Sequence, residues 1–265
     1  MPSAPVHVAP HRTARLWLPR QHGAWALLAL PILVGIAASR FVPGHLLLAA
    51  AAAAAYLASA TLQAWLRARR RASYLPSIVA YSAATVLFGV PLLVMEPRLV
   101  LAAIVVVPAG ALTLAVARPG TPREMVLSLA HVAQASVLVP AAMVLAGETS
   151  GWVLGAATAI AAAEMAGSVL AVRSVIRERD NVGFAARSVG YHAAITLAAA
   201  AFLPWAYAAL GVFLAARAVG LPLAQRRLVS NGRALRPVYV GLVEAVASVA
   251  LVAVTLAAPL SGGRP

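Results

Sequence analysis

Apolar tracts of about 20 residues, the length that crosses a bilayer as a helix, recur along the whole chain between short polar turns. They predict helices near 22–39, 46–66, 76–95, 98–117, 125–146, 152–176, 186–204, 206–224 and 237–260. The chain therefore reads as all-α, a polytopic membrane helical bundle with about nine transmembrane helices. Only Pro204 and a short stretch around Trp205 divide the seventh from the eighth, so eight spans is the competing count. Runs such as Leu47 to Ala55 are read as packing faces, because Ala and Gly let helices approach closely in lipid. Residues 1–19 hold prolines, arginines and histidines but no apolar core, and are read as a cytoplasmic arm and not a signal peptide. Residues 20–260 form one helical transmembrane domain and 261–265 a short C-terminal tail.

Composition agrees: 62% of the 265 residues are hydrophobic and 11% charged, against about 25% charged in soluble domains. All 21 basic residues are arginine, and the formal charge is +14. In a soluble protein that excess would suggest nucleic acid, but here topology accounts for it and no nucleic-acid partner is expected. Taking the N-terminus as cytoplasmic, inside segments collect Arg12, Arg15 and Arg20, then Arg67 and Arg69 to Arg71, then Arg118 and Arg123. The same side holds Arg173, Arg177, Arg179 and Arg187, and finally Arg226, Arg227, Arg233 and Arg236. The outside segments hold only Arg40, Arg98 and Arg264, and Arg217 falls within a span. This asymmetry predicts a multi-pass protein of the cytoplasmic membrane with its N-terminus inside. With no cysteine, disulfides and thiolate sites are excluded; with 7 carboxylates, no metal site or cofactor is expected. Phosphate-binding, nucleophile-elbow, zinc-protease and dinucleotide-binding motifs are absent too.

Three polar segments stand out at the cytoplasmic boundary. In Pro19-Arg20-Gln21-His22-Gly23-Ala24-Trp25, polar residues precede an apolar helix, and Arg20 and His22 flank free N–H groups able to hold an anion. An interfacial Arg and Trp anchor is the plainer reading. The loop holding Arg67, Arg69, Arg70 and Arg71 either fixes topology or grips phosphate oxygens. At the end of the sixth span, Arg173 and Arg177 share one helical face, as do Ser188, Tyr191 and His192 at the start of the next. Were these helices neighbours, the two faces would frame a polar pocket. Deeper, His131, Gln134, Glu164, Arg217 and Glu244 lie within spans, where ionisable groups are costly and mark a pathway or an ion pair.

The Pro19–Trp25 segment resembles the start of the YwiC-like family of bacterial membrane proteins, whose chains carry a similar P-[KR]-Q-H-G-A-W-A stretch. The arginine-rich turn after the second helix and the run from Val172 to Arg179 resemble that family as well. That resemblance names a family without assigning it a reaction. A more distant resemblance, in helix number and in polar loops after the second and sixth helices, is to the UbiA superfamily of intramembrane prenyltransferases. It implies a UbiA-like arrangement, with those loops holding Mg²⁺ and a prenyl diphosphate on aspartates. Here the first loop has arginines and no Asp, and the second keeps only Glu178 and Asp180. Three expectations result. The foremost is an anionic or lipid-linked ligand held by Arg20, Gln21, His22, Arg70, Arg173, Arg177, Tyr191 and His192 in one cytoplasm-facing cavity, with membrane lipid as the other partner. The others are a divergent prenyltransferase and a transporter using Glu164, Glu244 and His131.

Overall fold

The computed structural model describes Trp17 and residues 22–69, 71–116 and 124–260. The first four helices are α1 His22–Ala38, α2 Gly44–Arg67, α3 Leu75–Met95 and α4 Ala103–Val116. There follow α5 Glu124–Ser136, α6 Leu138–Leu145, α7 Gly151–Ile176, α8 Val182–Phe202, α9 Trp205–Ser230 and α10 Pro237–Ala257. Short 3-10 segments, Ala72–Tyr74 and Pro97–Ala102, lead into α3 and α4. Helix is what such apolar stretches require in lipid, since it satisfies the backbone polar groups within each segment. All nine predicted segments are helical, α5 and α6 together forming one of them. Among the described residues, 7 helical stretches qualify as membrane spans by length and apolarity, and α8, with Arg187 and His192, is not among the 7. The chain is an integral, multi-pass helical membrane protein.

The departures from the predicted boundaries have local causes. The fifth span is interrupted at Val137 because Pro140 lacks the N–H that would meet the Ser136 carbonyl and its ring crowds that turn. Helix α8 begins at Val182, ahead of the predicted 186, because the Asn181 side chain accepts the Phe184 N–H at 3.0 Å. Helix α9 runs past the predicted 224 to Ser230, since Gln225, Arg226, Arg227 and Leu228 are good helix formers even where apolarity has ended. Between α8 and α9, Leu203 is extended at φ −122° and ψ 164°, and Pro204 follows at φ −53° and ψ 145°, so two helices stand there and not one.

Helix α1 is the central element, packing against α2, α5, α6, α7 and α10. Its Leu30 and Val34 enter the larger apolar core with Met143, Met165, Leu214 and Leu251, while Ile32 enters a second core with Leu48, Leu92 and Ala142. Gly35 is what lets α1 and α6 touch: a Cβ there would fall 2.7 Å from both the Ala142 Cβ and the Val139 carbonyl oxygen. At the start of α2 the fully buried His45 accepts the Val42 N–H on Nδ1 at 3.0 Å, so its Nε2 carries the proton and donates to the Ala142 carbonyl at 2.8 Å. In contrast α3 and α4 expose Val86, Leu87, Val94, Ile104 and Val107, the apolar surface a bilayer covers.

Short connections make successive spans antiparallel, so the bundle has two ends of unequal charge. Where α1 begins, the described arginines are Arg67, Arg69, Arg71, Arg173, Arg177, Arg179, Arg187, Arg226, Arg227, Arg233 and Arg236. The opposite end has Arg40 and Arg98.

Candidate functional site

Two polar regions lie within the bundle, on different helices. The first is a cavity of about 500 Å³ between α1, α2, α4 and α5. Helix α2 supplies Tyr56, Ser59, Gln63 and Arg67, whose spacing of three and four places them on one face. The last three form a ladder: Arg67 Nη2 donates to Gln63 Oε1 at 3.4 Å, and Gln63 Nε2 donates to Ser59 Oγ at 3.3 Å. Helix α5 supplies His131 and Gln134 from the other wall. Gly110 of α4 makes room there, since a Cβ would lie 3.3 Å from Gln134 Nε2. Leu27, Leu28, Ala52, Val106 and Leu138 make the rest of the lining largely apolar. Arg67 stands at the arginine-rich end, and none of the lining residues is acidic. Trp25, from the segment that begins α1, packs edge-on against Tyr56 with ring centroids 6.0 Å apart.

The second region is a buried ion cluster built by all four C-terminal helices. Arg217 of α9, its side chain only 1% exposed, places Nη1 2.8 Å from Glu244 Oε2 of α10 and 3.7 Å from Glu164 Oε1 of α7. The first contact is a charge-assisted hydrogen bond; the second is too long for one and is an ion pair alone. Ser168, one turn beyond Glu164, donates its hydroxyl to Glu244 Oε2. On α8, His192 Nδ1 lies 2.7 Å from the Ser188 carbonyl oxygen, which can only accept, so Nδ1 holds the proton. Its Nε2 is then free to accept from Arg217 Nη2 at 3.3 Å. Gly167 admits the imidazole, since a Cβ there would stand 2.8 Å from His192 Nε2. Tyr191 borders His192 edge-on at 5.6 Å and donates its hydroxyl to the Ala163 carbonyl at 3.0 Å, tying α8 to α7.

The sequence-predicted residues are divided between these places. His131 and Gln134 line the first cavity; Glu164, Arg217, Glu244 and His192 meet in the second region, which separates His131 from the two glutamates it was grouped with. Arg173 lies near the end of α7 with Nη2 3.7 Å from Glu178 Oε1, and Arg177 caps that helix. Asp180 pairs with Arg179 at 3.5 Å, and Asn181 Nδ2 donates to Glu178 Oε2 at 3.0 Å. Arg20, Gln21 and Arg70 lie outside the described residues, as does the side chain of His22, the first residue of α1. Sequence reasoning passed over Ser59, Gln63 and Arg67 as a unit, although their i, i+4 spacing is visible on α2. It also passed over Ser168, which stands four residues after Glu164.

Among the described residues, nine helical segments packed on apolar cores that enclose a few polar groups, with apolar outer faces and one arginine-rich end, define a polytopic helical membrane protein. Residues 18–143 match the model of a family described as YwiC-like protein. Over that stretch, α1 through most of α6, the chain is similar to the YwiC-like family, as the Pro19–Trp25 segment led one to expect. No curated protein and no solved structure matches the chain.

Proposed function

We propose that this membrane protein binds an anionic amphiphile, a lipid-linked or long-chain phosphate, in the cavity between α1, α2, α4 and α5. The observation that carries the reading is the cavity's polarity: a carboxylate-free lining with Arg67 at its rim above a largely apolar interior, every lining residue falling within the family-matched stretch 18–143. Guanidinium grips phosphate oxygens with charge-assisted bonds, and Arg67 now spends one N–H on a long bond to Gln63 that an anion displaces easily. Gln63, Gln134 and His131 add donors below it, and the alkyl chain lies against Leu27, Ala52, Val106 and Leu138. Entry is from the cytoplasmic side, because an arginine excess at the end where α1 begins makes that end cytoplasmic. Anionic headgroups also concentrate there, drawn by the surrounding arginines.

Native mass spectrometry of the full-length protein in a neutral detergent tests this with dodecyl phosphate, dodecanol and inorganic phosphate. Dodecyl phosphate is expected to bind, and Arg67→Gln to weaken it about ten- to hundredfold, the worth of one hydrogen bond to a charged group. Dodecanol binding is expected to be unchanged by that substitution. Binding of inorganic phosphate as tight as dodecyl phosphate would mean that a soluble anion and not a lipid is recognised. Equal binding of the phosphate and the alcohol, or an indifferent Arg67→Gln, would overturn the proposal.

A further inference from the structure

A second cavity, about 430 Å³, runs between α7, α8 and α9 and has the opposite electrostatic character. It reaches the arginine-poor end of the bundle, where the half-exposed Trp152 and the exposed Phe202 line it. From there it follows α7 past Gly155, Ala159 and Ile160 to Glu164, a path of about 20 Å at the helical rise per residue. Ile195, Ala199, Leu210 and Leu214 complete walls that are almost wholly apolar, and Glu164 is the one charged residue among those lining it. A carboxylate at the floor of an apolar groove is costly unless something answers its charge.

The charges of the cluster do not cancel. One guanidinium, Arg217, faces two carboxylates, Glu164 and Glu244, and His192 accepts from Arg217 as a neutral ring. Glu244 takes the close contact at 2.8 Å together with the Ser168 hydroxyl. Glu164, only 3% exposed, is left with the 3.7 Å contact alone, while the Oε1 atoms of both carboxylates are buried without a hydrogen-bond partner among the described residues. The carboxylate that Arg217 satisfies less well is thus the one that lines the groove.

We infer that the groove between α7, α8 and α9 binds a hydrophobic monocation, a long-chain ammonium compound, whose charged end pairs with Glu164 and whose apolar body fills the channel towards Trp152. An ammonium group beside Glu164 balances the cluster's surplus negative charge. The volume is that of a small-molecule site lined mainly by apolar side chains with one orienting charge. Its preference is the reverse of that proposed for the α1, α2, α4 and α5 cavity, and neither site depends on the other.

The test is native mass spectrometry of the full-length protein in neutral detergent, with dodecylammonium and dodecanol as probes. One dodecylammonium is expected to bind about tenfold or more tightly than the alcohol. Glu164→Gln is expected to abolish that preference, while Arg67→Gln leaves it intact. Because Glu164→Gln alters a buried cluster, Gly155→Leu serves as a second variant: nothing lies within 4 Å of a Cβ at that position, so the added side chain enters the groove without touching the ion pairs. It is expected to weaken both probes. Equal affinity for ammonium and alcohol, or full ammonium binding in either variant, would overturn the inference. So would a Glu164 that takes up only a proton, seen as pH-dependent stability abolished by Glu164→Gln with no ammonium bound.

Discussion

The N-terminal and C-terminal halves of this bundle treat buried polarity in opposite ways. Between α1, α2, α4 and α5, the polar groups Ser59, Gln63, Arg67, His131 and Gln134 line an open space and include no acid. Between α7, α8, α9 and α10, the polar groups are turned onto one another, Arg217 against Glu164, Glu244 and His192, with little exposure. The difference is one of counter-charge. Arg67 stands at a helix end, where its long side chain can reach the membrane boundary, so it needs no acidic partner. Arg217 sits in the middle of a 26-residue helix, too deep for that, and is found with two carboxylates. Arg67, at the end of a span, is therefore placed to meet the membrane boundary, whereas Arg217, in the middle of one, is engaged by the fold.

Removing each arginine breaks this comparison most sharply. Arg217→Met strands Glu164 and Glu244 as like charges in an apolar interior, and loss of one partner of a buried pair costs about 3–5 kcal/mol. Arg67→Met is expected to stay within about 0.5 kcal/mol of the parent, as for a side chain at a helix end with one weak hydrogen bond. Thermal unfolding of both variants in one detergent measures the contrast. Adding Glu164→Gln and Glu244→Gln to Arg217→Met is expected to recover most of the loss, because neutral amides remove the unanswered charge. Equal destabilisation by the two arginine substitutions would erase the distinction between the halves.

How much of this was legible in the sequence also differs between the halves. The spans were readable throughout, because a stretch of about 20 apolar residues has one stable form in lipid. Arg217 with Glu164 and Glu244 was readable as a candidate ion pair, because three ionisable residues at mid-span in so apolar a chain have few other partners. The cavity was not readable. Gln63 and Ser59 are uncharged and sit in an alanine-rich helix, and their meaning depends on α4 and α5 facing them, which periodicity does not reveal. Nor could spacing alone tell that His192 turns inward to Arg217 while Arg173 turns to Glu178. Both belong to segments with charges nearby, and the choice of partner is settled by which helix lies opposite.

A smaller effect is expected at the seam that joins the two halves. Gly35 of α1 rests directly on α6, and the nearest atoms to a Cβ there, the Ala142 Cβ and the Val139 carbonyl oxygen, both 2.7 Å away, belong to a methyl group and to backbone. Neither can swing aside, so Gly35→Val must separate the helices, and overpacking of this kind costs about 1–3 kcal/mol. Thermal unfolding gives the size of the loss, and limited proteolysis its location. Cleavage at the turns bordering α1 and α6, Ser39 to Pro43 and Ala146 to Ser150, is expected to rise before cleavage between α8 and α9. Unchanged stability would mean that α1 does not clamp the halves together.

The smallest expected effect comes from the ion pair that most resembles Arg217 and Glu244 in chemistry and least in setting. At the arginine-poor end, Glu96 accepts from Arg98 through Oε1 at 2.7 Å and Oε2 at 2.8 Å, and also takes the Arg98 N–H at 3.2 Å. The side-chain hydrogen bond from Arg98 is the main reason its carboxyl is held below the ordinary carboxylate range. A carboxyl lowered in the folded protein binds its proton less readily there than in the unfolded chain. Its contribution to stability is therefore complete above the ordinary carboxylate range and is lost as the pH falls through the lowered folded value. Exposed pairs of this kind are screened by water and salt, so the contribution is slight. Glu96→Gln is expected to leave neutral-pH unfolding almost unchanged and to flatten only the acid limb of stability against pH, an effect that shrinks further in high salt. A loss at neutral pH approaching that of Arg217→Met would show that position within the bundle, and not merely pairing, had been misjudged as the source of the cluster's weight.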